Sequence, residues 1–258
     1  MFVISLYEQA FKVATSFFKS VDHAVWGEQA MATIAVVFGG GAAHGAYQAG
    51  VWAVLGPRLR PTFVIGSSIG AINAAGTARM LPEQVPQWWQ HFSEAKVNGP
   101  IFLRRHFVPV LDRMLQAPKL DSRAVLAVTT SVPDFQAHVT RLDVLTAPEA
   151  REWLLASSAM PGVFSPVERA GVSYVDGGVV NDLPVDIARQ IGADYVIAIS
   201  GEGIGRIGSD HGDLYLKPSE RLPGLFNFRP EAIANMIALG RRDAQIALKR
   251  AHFSPFHR

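Results

Sequence analysis

Short apolar runs recur along the chain from residue 33 onward, and most of them lead through glycines or polar residues into segments with helical spacing. A uniformly apolar run rich in β-branched residues is typical of a parallel strand that is covered on both faces. This pattern indicates an α/β fold with a mostly parallel sheet. The predicted strands lie at 33–38, 62–65, 125–130, 137–142 and 195–199, and the predicted helices at 46–55, 148–157 and 230–250.

The first thirty residues follow a different pattern. Apolar residues recur at alternating spacings of three and four, and charged residues lie mostly between them. The apolar residues of this pattern are Ile4, Tyr7, Phe11, Ala14, Phe18, Val21 and Val25. This spacing predicts an amphipathic helical segment over 1–30, with its aromatic face either docked on the core or exposed to a membrane surface or a partner. No basic stretch precedes it and no convincing cleavage pattern follows it, so we do not expect a secretory signal.

We expect residues 31–258 to form one domain, because a chain of 258 residues that is 49% hydrophobic can bury one sizeable core. Residues 29–56 carry no formal charge. Three consecutive glycines in the middle of this stretch nevertheless favour a buried strand, turn and helix over a membrane span.

Two regions outside the predicted sheet have less regular patterns. The aromatic region at 82–120 is expected to form either a cap over the functional site or an ordinary packed helical insertion. After residue 201 the sequence predicts a glycine-rich loop, in which Asp210, His211 and Asp213 suit a solvated turn better than a metal site.

Charge and cysteine content narrow the possible partners. The formal net charge of +2 is too small to indicate nucleic-acid binding, although it is compatible with an anionic membrane surface. The chain has no cysteine, which excludes disulfides, zinc–thiolate sites and a cysteine nucleophile. We expect a cytoplasmic protein without a nucleic-acid partner, and peripheral contact with a membrane stays open.

The strongest chemical signal is Gly66-Ser67-Ser68-Ile69-Gly70, which follows a predicted strand and opens an alanine-rich helix. A strand that turns directly into a helix holds the corner residue, here Ser68, on a strained turn with its hydroxyl exposed. Gly66 and Gly70 flank a corner where neighbouring backbones leave little room for a Cβ. Ser68 is therefore the candidate nucleophile, while a plain turn between two buried elements is the alternative.

A glycine-rich loop, residues 39–45, joins the first strand to the first helix. No Lys-Ser or Lys-Thr pair follows Gly45, which argues against a nucleotide P-loop. No acidic residue lies between Glu28 and Glu83, which argues against a dinucleotide-binding fold. The loop amides then suit an oxyanion hole, and the candidate donors are Gly39, Gly40, Gly41 and Ala42.

The base for Ser68 must come from far along the chain, because no carboxylate lies near either glycine motif. Asp176 ends a short apolar strand at a turn through Gly177 and Gly178, although an Asp-Gly pair can also cap a turn without any chemical role. His211 and His252 lie late enough in the chain for a Ser-Asp-His order, but neither lies in a turn where a strand leads directly into a glycine. A Ser68–Asp176 dyad is the better hypothesis.

These three motifs, in this order, resemble the patatin-like phospholipase family. Segments 157–164 and 181–184 also resemble those on either side of the family's aspartate, so the resemblance extends over about 34–199. It implies a three-layer α/β sandwich in which a central, mostly parallel sheet is flanked by helices. It also implies a lipid acyl hydrolase of the phospholipase A, lysophospholipase or esterase type.

The resemblance assigns roles to residues of this chain. Ser68 would be the nucleophile that forms an acyl-enzyme with a lipid or phospholipid ester, and Asp176 would be its base, with no metal and no cofactor. An acyltransferase with the same dyad, or a non-catalytic lipid-binding member, is the alternative. The supporting glycines are Gly45, Gly66, Gly70, Gly177 and Gly178.

One part of the chain departs from the family pattern. The family usually has three glycines, one residue, Arg or Lys, and then a glycine. In this chain the loop is one residue longer, with His44 at the basic position. We expect His44 to be structural or a weak phosphate contact, and not catalytic.

Overall fold

The computed structural model describes residues 32–94 and 104–250, so the helix predicted over 1–30 lies outside the described residues. The described strands are β1 (Ile34–Phe38), β2 (Phe63–Ser67), β3 (Ala124–Val132), β4 (Ala137–Arg141), β5 (Val167–Arg169), β6 (Val172–Asp176), β7 (Tyr195–Ile199) and β8 (Leu214–Leu216). The helices are α1 (Gly45–Leu55), α2 (Ile69–Thr77), α3 (Gln84–Glu94), α4 (Arg104–Gln116), α5 (Ala147–Ser157), α6 (Gly178–Asn181), α7 (Val185–Gln190) and α8 (Pro230–Arg250).

The strands form one mixed sheet in the order β5-β6-β3-β2-β1-β7-β8, with β4 paired to β3. Strands β3, β2, β1, β7 and β8 run parallel, whereas β4 and β6 pair antiparallel with β3. β3 is long enough to continue past the end of β2, whose last residue Ser67 pairs with Val128. The continuation of β3 pairs with β6, and this brings the end of β6 close to the end of β2.

Two hydrophobic cores lie on opposite faces of the sheet. Val36 and Phe38 of β1 face the larger core, which is shared with α1, α2, α3, α5 and α8. Ala35 and Val37 face the smaller core, which α7 covers. Both faces are therefore buried, which explains why the central strands are apolar at every position. The predicted three-layer sandwich is confirmed.

Helix α1 has hardly any exposed face because it lies between the sheet and α8. The backbones of α1 and α8 touch at two glycines: a Cβ on Gly50 would collide with the carbonyl of Ile237, and one on Gly240 with the carbonyl of Tyr47. Buried Asp243 of α8 accepts a hydrogen bond from the Tyr47 hydroxyl at 3.2 Å and from the Ser219 amide at 2.9 Å. These contacts join α8 firmly to the part of the domain that carries the glycine loop.

The structure differs from the sequence prediction after residue 201. The expected loop contains β8, which adds a parallel edge strand to β7, and the Ser200 amide donates to the Leu216 carbonyl at 2.9 Å. Three residues are too few to produce a recognisable strand period in the sequence. Within the two described ranges, no helix is long and apolar enough to cross a membrane.

Candidate active site

Ser68 lies at the corner between β2 and α2, as the sequence predicts. Its backbone has φ +55° and ψ −127°, which is a strained conformation for a residue with a side chain. A Cβ on Gly66 would collide with the backbone of Gly70, and one on Gly70 with the carbonyl of Phe38 in β1. The corner can therefore pack against its neighbours only with glycine at both positions.

Asp176 is the hydrogen-bond partner of Ser68. The Ser68 hydroxyl donates to Asp176 Oδ2 at 2.7 Å, and the Gly178 amide donates to Asp176 Oδ1 at 2.8 Å. Both side chains are nearly buried, since Ser68 is 8% exposed and Asp176 5% exposed. The structure therefore brings together two residues that are 108 positions apart in the sequence.

The position of Asp176 depends on β3. Asp176 pairs with Thr129 in the antiparallel ladder between β6 and β3, and the Thr130 hydroxyl donates to the Asp176 carbonyl at 2.8 Å. Asp176 ends a strand, as the sequence predicts. This strand is antiparallel to β3, and it reaches Ser68 because β3 continues beyond β2.

Burial makes the Asp176 carboxylate more basic than an exposed aspartate. Removal from water raises the pKa of Asp176 to about 6, while the hydrogen bonds from Ser68 and Gly178 oppose this rise. A carboxylate with this pKa is still ionised at neutral pH. It can therefore accept a proton from the hydroxyl that it contacts.

Ser157, at the end of α5, connects the serine corner to the aspartate turn. The Ser68 amide donates to Ser157 Oγ at 3.0 Å, and the Ser157 hydroxyl donates to the Val128 carbonyl at 2.6 Å. The Gly177 amide donates to the Ser157 carbonyl at 3.1 Å. Segment 157–164 was expected only as part of the family resemblance, and no role was predicted for Ser157.

The four candidate oxyanion donors fall into two pairs. The Gly39 amide donates to the Ile199 carbonyl and the Gly40 amide to the Asp182 carbonyl, both at 3.0 Å. Within the described part of the chain, the amides of Gly41 and Ala42 have no hydrogen-bond acceptor. Ala42 also lines the cleft beside Ser68. Gly41 and Ala42 are therefore the loop amides that remain for a ligand.

The loop has an unusual backbone and a close neighbour on the helix side. Gly41 has φ +145° and Ala42 has φ +47°, a left-handed conformation that disfavours alanine. A Cβ on Gly45 would lie 2.5 Å from Trp89 Cζ2 and 2.7 Å from Ile69 Cγ1. The packing of Trp89 under the loop thus requires glycine at the start of α1.

His44 joins the loop to two later segments. Its Nδ1 lies 2.8 Å from the Gly201 carbonyl oxygen, and its Nε2 lies 2.8 Å from the Pro223 carbonyl oxygen. Both ring nitrogens thus face protein backbone and neither faces Ser68. These contacts fit the predicted structural role of His44.

The remaining glycines of the site are close to functional atoms. A Cβ on Gly177 would collide with the Val128 carbonyl. A Cβ on Gly178 would lie 2.7 Å from Asp182 Oδ1 and 3.1 Å from Asp176 Oδ1. The Asp-Gly-Gly turn therefore keeps the carboxyl groups of Asp176 and Asp182 near each other, although only Asp176 was expected at the site.

An apolar cleft of about 680 Å³, including its open mouth, contains the Ser68–Asp176 pair. Its walls come from α2, α3, α4, α5 and the segments after α5 and before α8. Besides the pair itself it is lined by Ala42, Ile69, Ile72, Phe92, Phe107, Leu155, Ser158, Met160, Val163, Phe164, Phe226 and Phe228. Such a lining can hold a hydrocarbon chain next to the Ser68 hydroxyl.

The alternative residues that the structure describes do not line the cleft. His211 stacks on Tyr215 of β8, with ring centres 4.8 Å apart, and His252 lies outside the described residues. Asp210 and Asp213 both form ion pairs with Arg189. Across residues 32–94 and 104–250, no group of three or more acidic or histidine side chains is arranged to hold a metal ion.

Comparison of the chain with known proteins identifies its relatives. The chain is 30% identical over 186 residues to human patatin-like phospholipase domain-containing protein 6, a match that covers 65% of this chain and 13% of the human protein. It is 26% identical over 213 residues to triacylglycerol lipase 4 of Saccharomyces cerevisiae, covering 64% of this chain and 23% of the yeast protein. It is 25% identical over 183 residues to lysophospholipase NTE1 of Mycosarcoma maydis, covering 65% of this chain and 10% of the fungal protein.

The chain thus spans less than a quarter of the length of each of these relatives. A family model described as patatin-like phospholipase matches residues 36–189, which include the glycine loop, the Ser68 corner and the Asp-Gly-Gly turn. This match covers more than half of the chain and shows the family that the motifs predicted. The chain belongs to the patatin-like phospholipase family.

Proposed function

We propose that this protein hydrolyses lipid carboxylic esters by a Ser68–Asp176 dyad through an acyl-enzyme. The observation that carries the proposal is the 2.7 Å hydrogen bond from the Ser68 hydroxyl to a nearly buried Asp176 carboxylate inside an apolar cleft. Relatives named phospholipase, triacylglycerol lipase and lysophospholipase support an ester of a lipid as the substrate.

In the first half-reaction Asp176 takes the Ser68 proton while Ser68 Oγ forms a bond to the ester carbonyl carbon. The carbonyl oxygen becomes negatively charged, and the amides of Gly41 and Ala42 donate hydrogen bonds to it. The bond from the carbonyl carbon to the alcohol oxygen then breaks, and the proton held by Asp176 goes to the departing alcohol. This leaves the acyl group on Ser68.

In the second half-reaction water replaces the alcohol. Asp176, ionised again, takes a proton from the water while the water oxygen attacks the acyl carbon. The Ser68 ester bond breaks, the proton returns to Ser68 Oγ, and the fatty acid leaves. The strained Ser68 backbone assists both steps because it presents Oγ to the cleft without a competing helix contact.

The cleft supports a hydrocarbon acyl chain as the part of the substrate that is bound before reaction. Phe92 of α3 and Phe107 of α4 contribute to the lining, so the expected cap region at 82–120 would contact the acyl chain. The ester carbonyl would then lie between Ser68 Oγ and the Ala42 amide. Peripheral contact with a membrane would deliver such a substrate to the open mouth of the cleft.

The test combines serine labelling with ester hydrolysis. A fluorophosphonate should label the wild-type protein stoichiometrically at Ser68, identified by mass spectrometry. Ser68→Ala should lose the label and at least about 10³-fold in kcat/KM on a short soluble ester. Ser173→Ala, which changes a serine of β6 whose hydroxyl contacts Glu168, is the matched control and should keep both activities.

Three other outcomes are informative. Full turnover by Ser68→Ala would refute the proposal. A stable, folded protein that takes no label would indicate the lipid-binding alternative. Labelling at Ser68 with faster product formation when an alcohol competes with water would indicate the acyltransferase alternative.

A further inference from the structure

A second carboxyl group, that of Asp182, is buried next to the dyad and takes no part in the mechanism above. Asp182 is 4% exposed. Its amide donates to the Arg206 carbonyl at 2.7 Å, and its carbonyl accepts from the Gly40 amide at 3.0 Å. The backbone of Asp182 is thus fixed between the oxyanion loop and the segment after β7.

Glycines surround this carboxyl group on several sides. A Cβ on Gly203 would lie 2.6 Å from Asp182 Oδ1, and a Cβ on Gly178 would lie 2.7 Å from the same oxygen. A Cβ on Gly40 would collide with Asp182 Oδ1 and would lie 3.5 Å from Ser68 Cβ. The carboxyl group therefore packs directly against the loop that carries the candidate oxyanion amides.

No positive charge balances this group in the described part of the chain. None of the described residues donates a hydrogen bond to its carboxyl oxygens or forms an ion pair with it. The titratable group that faces it is Asp176, on the other side of Gly178. The charged residues on its other flanks, Asp186, Glu202 and Arg206, are exposed.

If Asp182 were ionised, its unpaired negative charge would lie beside the negative charge of Asp176. Burial, and then the charge of Asp176, raise the pKa of Asp182 to about 7. The Asp182 carboxyl group is thus mostly protonated below neutral pH. It titrates in the same pH range in which the Ser68–Asp176 dyad is expected to act.

We propose that Asp182 acts as a neutral carboxylic acid beside the dyad, and that its ionisation suppresses formation of the acyl-enzyme. The physical reason is repulsion: a negative charge against Gly40 opposes the negative charge that develops on the substrate oxygen at the neighbouring amides. Asp182 is a positioning residue in this proposal, since it acts through the field at the loop and not by contact with the substrate. The inference rests on the proposed function.

The decisive experiment is the pH dependence of kcat/KM for a short soluble ester. Above about pH 7 the wild-type protein should lose activity by roughly 10- to 100-fold, which is the effect of a like charge about 6–10 Å away at an effective dielectric constant of about 20. Asp182→Asn keeps the shape of the side chain and removes the ionisation, so its activity should stay level above pH 7. Asp186→Asn, which removes an exposed charge four residues away, is the matched control and should keep the wild-type profile.

The same fall above pH 7 in Asp182→Asn would overturn the inference and leave the dyad untouched. Failure of the proposed function would look different, because Ser68→Ala would then hydrolyse the ester as fast as the wild type. Nuclear magnetic resonance of the wild-type protein with carbon-13 aspartate gives a readout that needs neither activity nor a variant. Two aspartate carboxyl carbons, those of Asp176 and Asp182, should titrate above about pH 5. A single carbon that titrates in this range would overturn the inference.

Discussion

The basicity of Asp176 gives the most direct prediction, because the proposed chemistry needs this carboxylate ionised before Ser68 can lose its proton. Lowering the pH protonates Asp176 and removes the acceptor from the 2.7 Å hydrogen bond. Burial raises the pKa of Asp176 from 3.8 to about 6. At pH 5 only about a tenth of the protein should therefore carry an ionised Asp176, and at pH 4 about a hundredth.

The expected result is an acid limb in the profile of kcat/KM, which reports ionisations of the free protein. Activity should fall about tenfold per pH unit below about pH 6. A soluble ester with a short acyl chain is the appropriate substrate, because its supply does not depend on lipid aggregation. Asp176→Asn should have almost no activity at any pH, and circular dichroism at each pH checks that the proteins remain folded.

The position of the acid limb can refute this reasoning. An aspartate in water titrates near pH 3.9. A limb near that value would mean that burial does not set the basicity of the group that accepts the Ser68 proton. Activity retained by Asp176→Asn but lost on substitution of His211 or His252 would show that a histidine is the base.

Three further predictions concern substitutions at Ala42, Ser157 and Asp182. Ala42→Gly should leave the free energy of unfolding unchanged or raise it by up to about 1 kcal/mol in urea denaturation, because Ala42 has a left-handed backbone. Ala234→Gly, at an exposed position of helix α8, should lower it by about 1 kcal/mol, and an equal loss in both variants would contradict this prediction. Ser157→Ala should destabilise the protein by about 1–3 kcal/mol and lower kcat, since it leaves the Ser68 amide without its acceptor, and a wild-type kcat would argue against its role. The raised pKa of Asp182 means that the folded protein holds this proton more tightly than the unfolded chain does, so this group alone should lower the free energy of unfolding by up to about 4 kcal/mol as the pH rises from about 4 to 7. Asp176, whose pKa is also raised, adds to the decrease in both proteins, so the decrease should be smaller in Asp182→Asn than in the wild type, and equal decreases would be inconsistent with burial of an ionisable Asp182.

Much of the fold and the central pair could be predicted from the sequence, because the signals are local. The strand at 195–199 and the helix at 230–250 have the predicted bounds. The serine corner was recognisable because Ser68 and the glycines at 66 and 70, which close backbone contacts require, all lie within one short stretch of sequence. Asp176 was recognisable because it ends a strand at two glycines, and the structure places it against Ser68.

What the sequence could not supply is the relation between distant segments. β8 was missed because three residues carry no period. The role of Ser157 and the choice among the four loop amides depend on which carbonyls lie nearby, and these belong to β3, β7 and residue 182. The burial of Asp182 could not be predicted either, because aspartate side chains are ordinarily exposed in folded proteins.

The sequence by itself thus determined most of the core strands and helices, the serine corner, the glycine loop and the candidate base, because each is signalled by residues that are neighbours along the chain. The tertiary structure alone decided that β3 continues past β2 to bring Asp176 to Ser68, and that Asp182 is buried with no balancing charge. Both are consequences of packing between segments that lie far apart in the sequence. Periodicity and local spacing contain no information about such contacts.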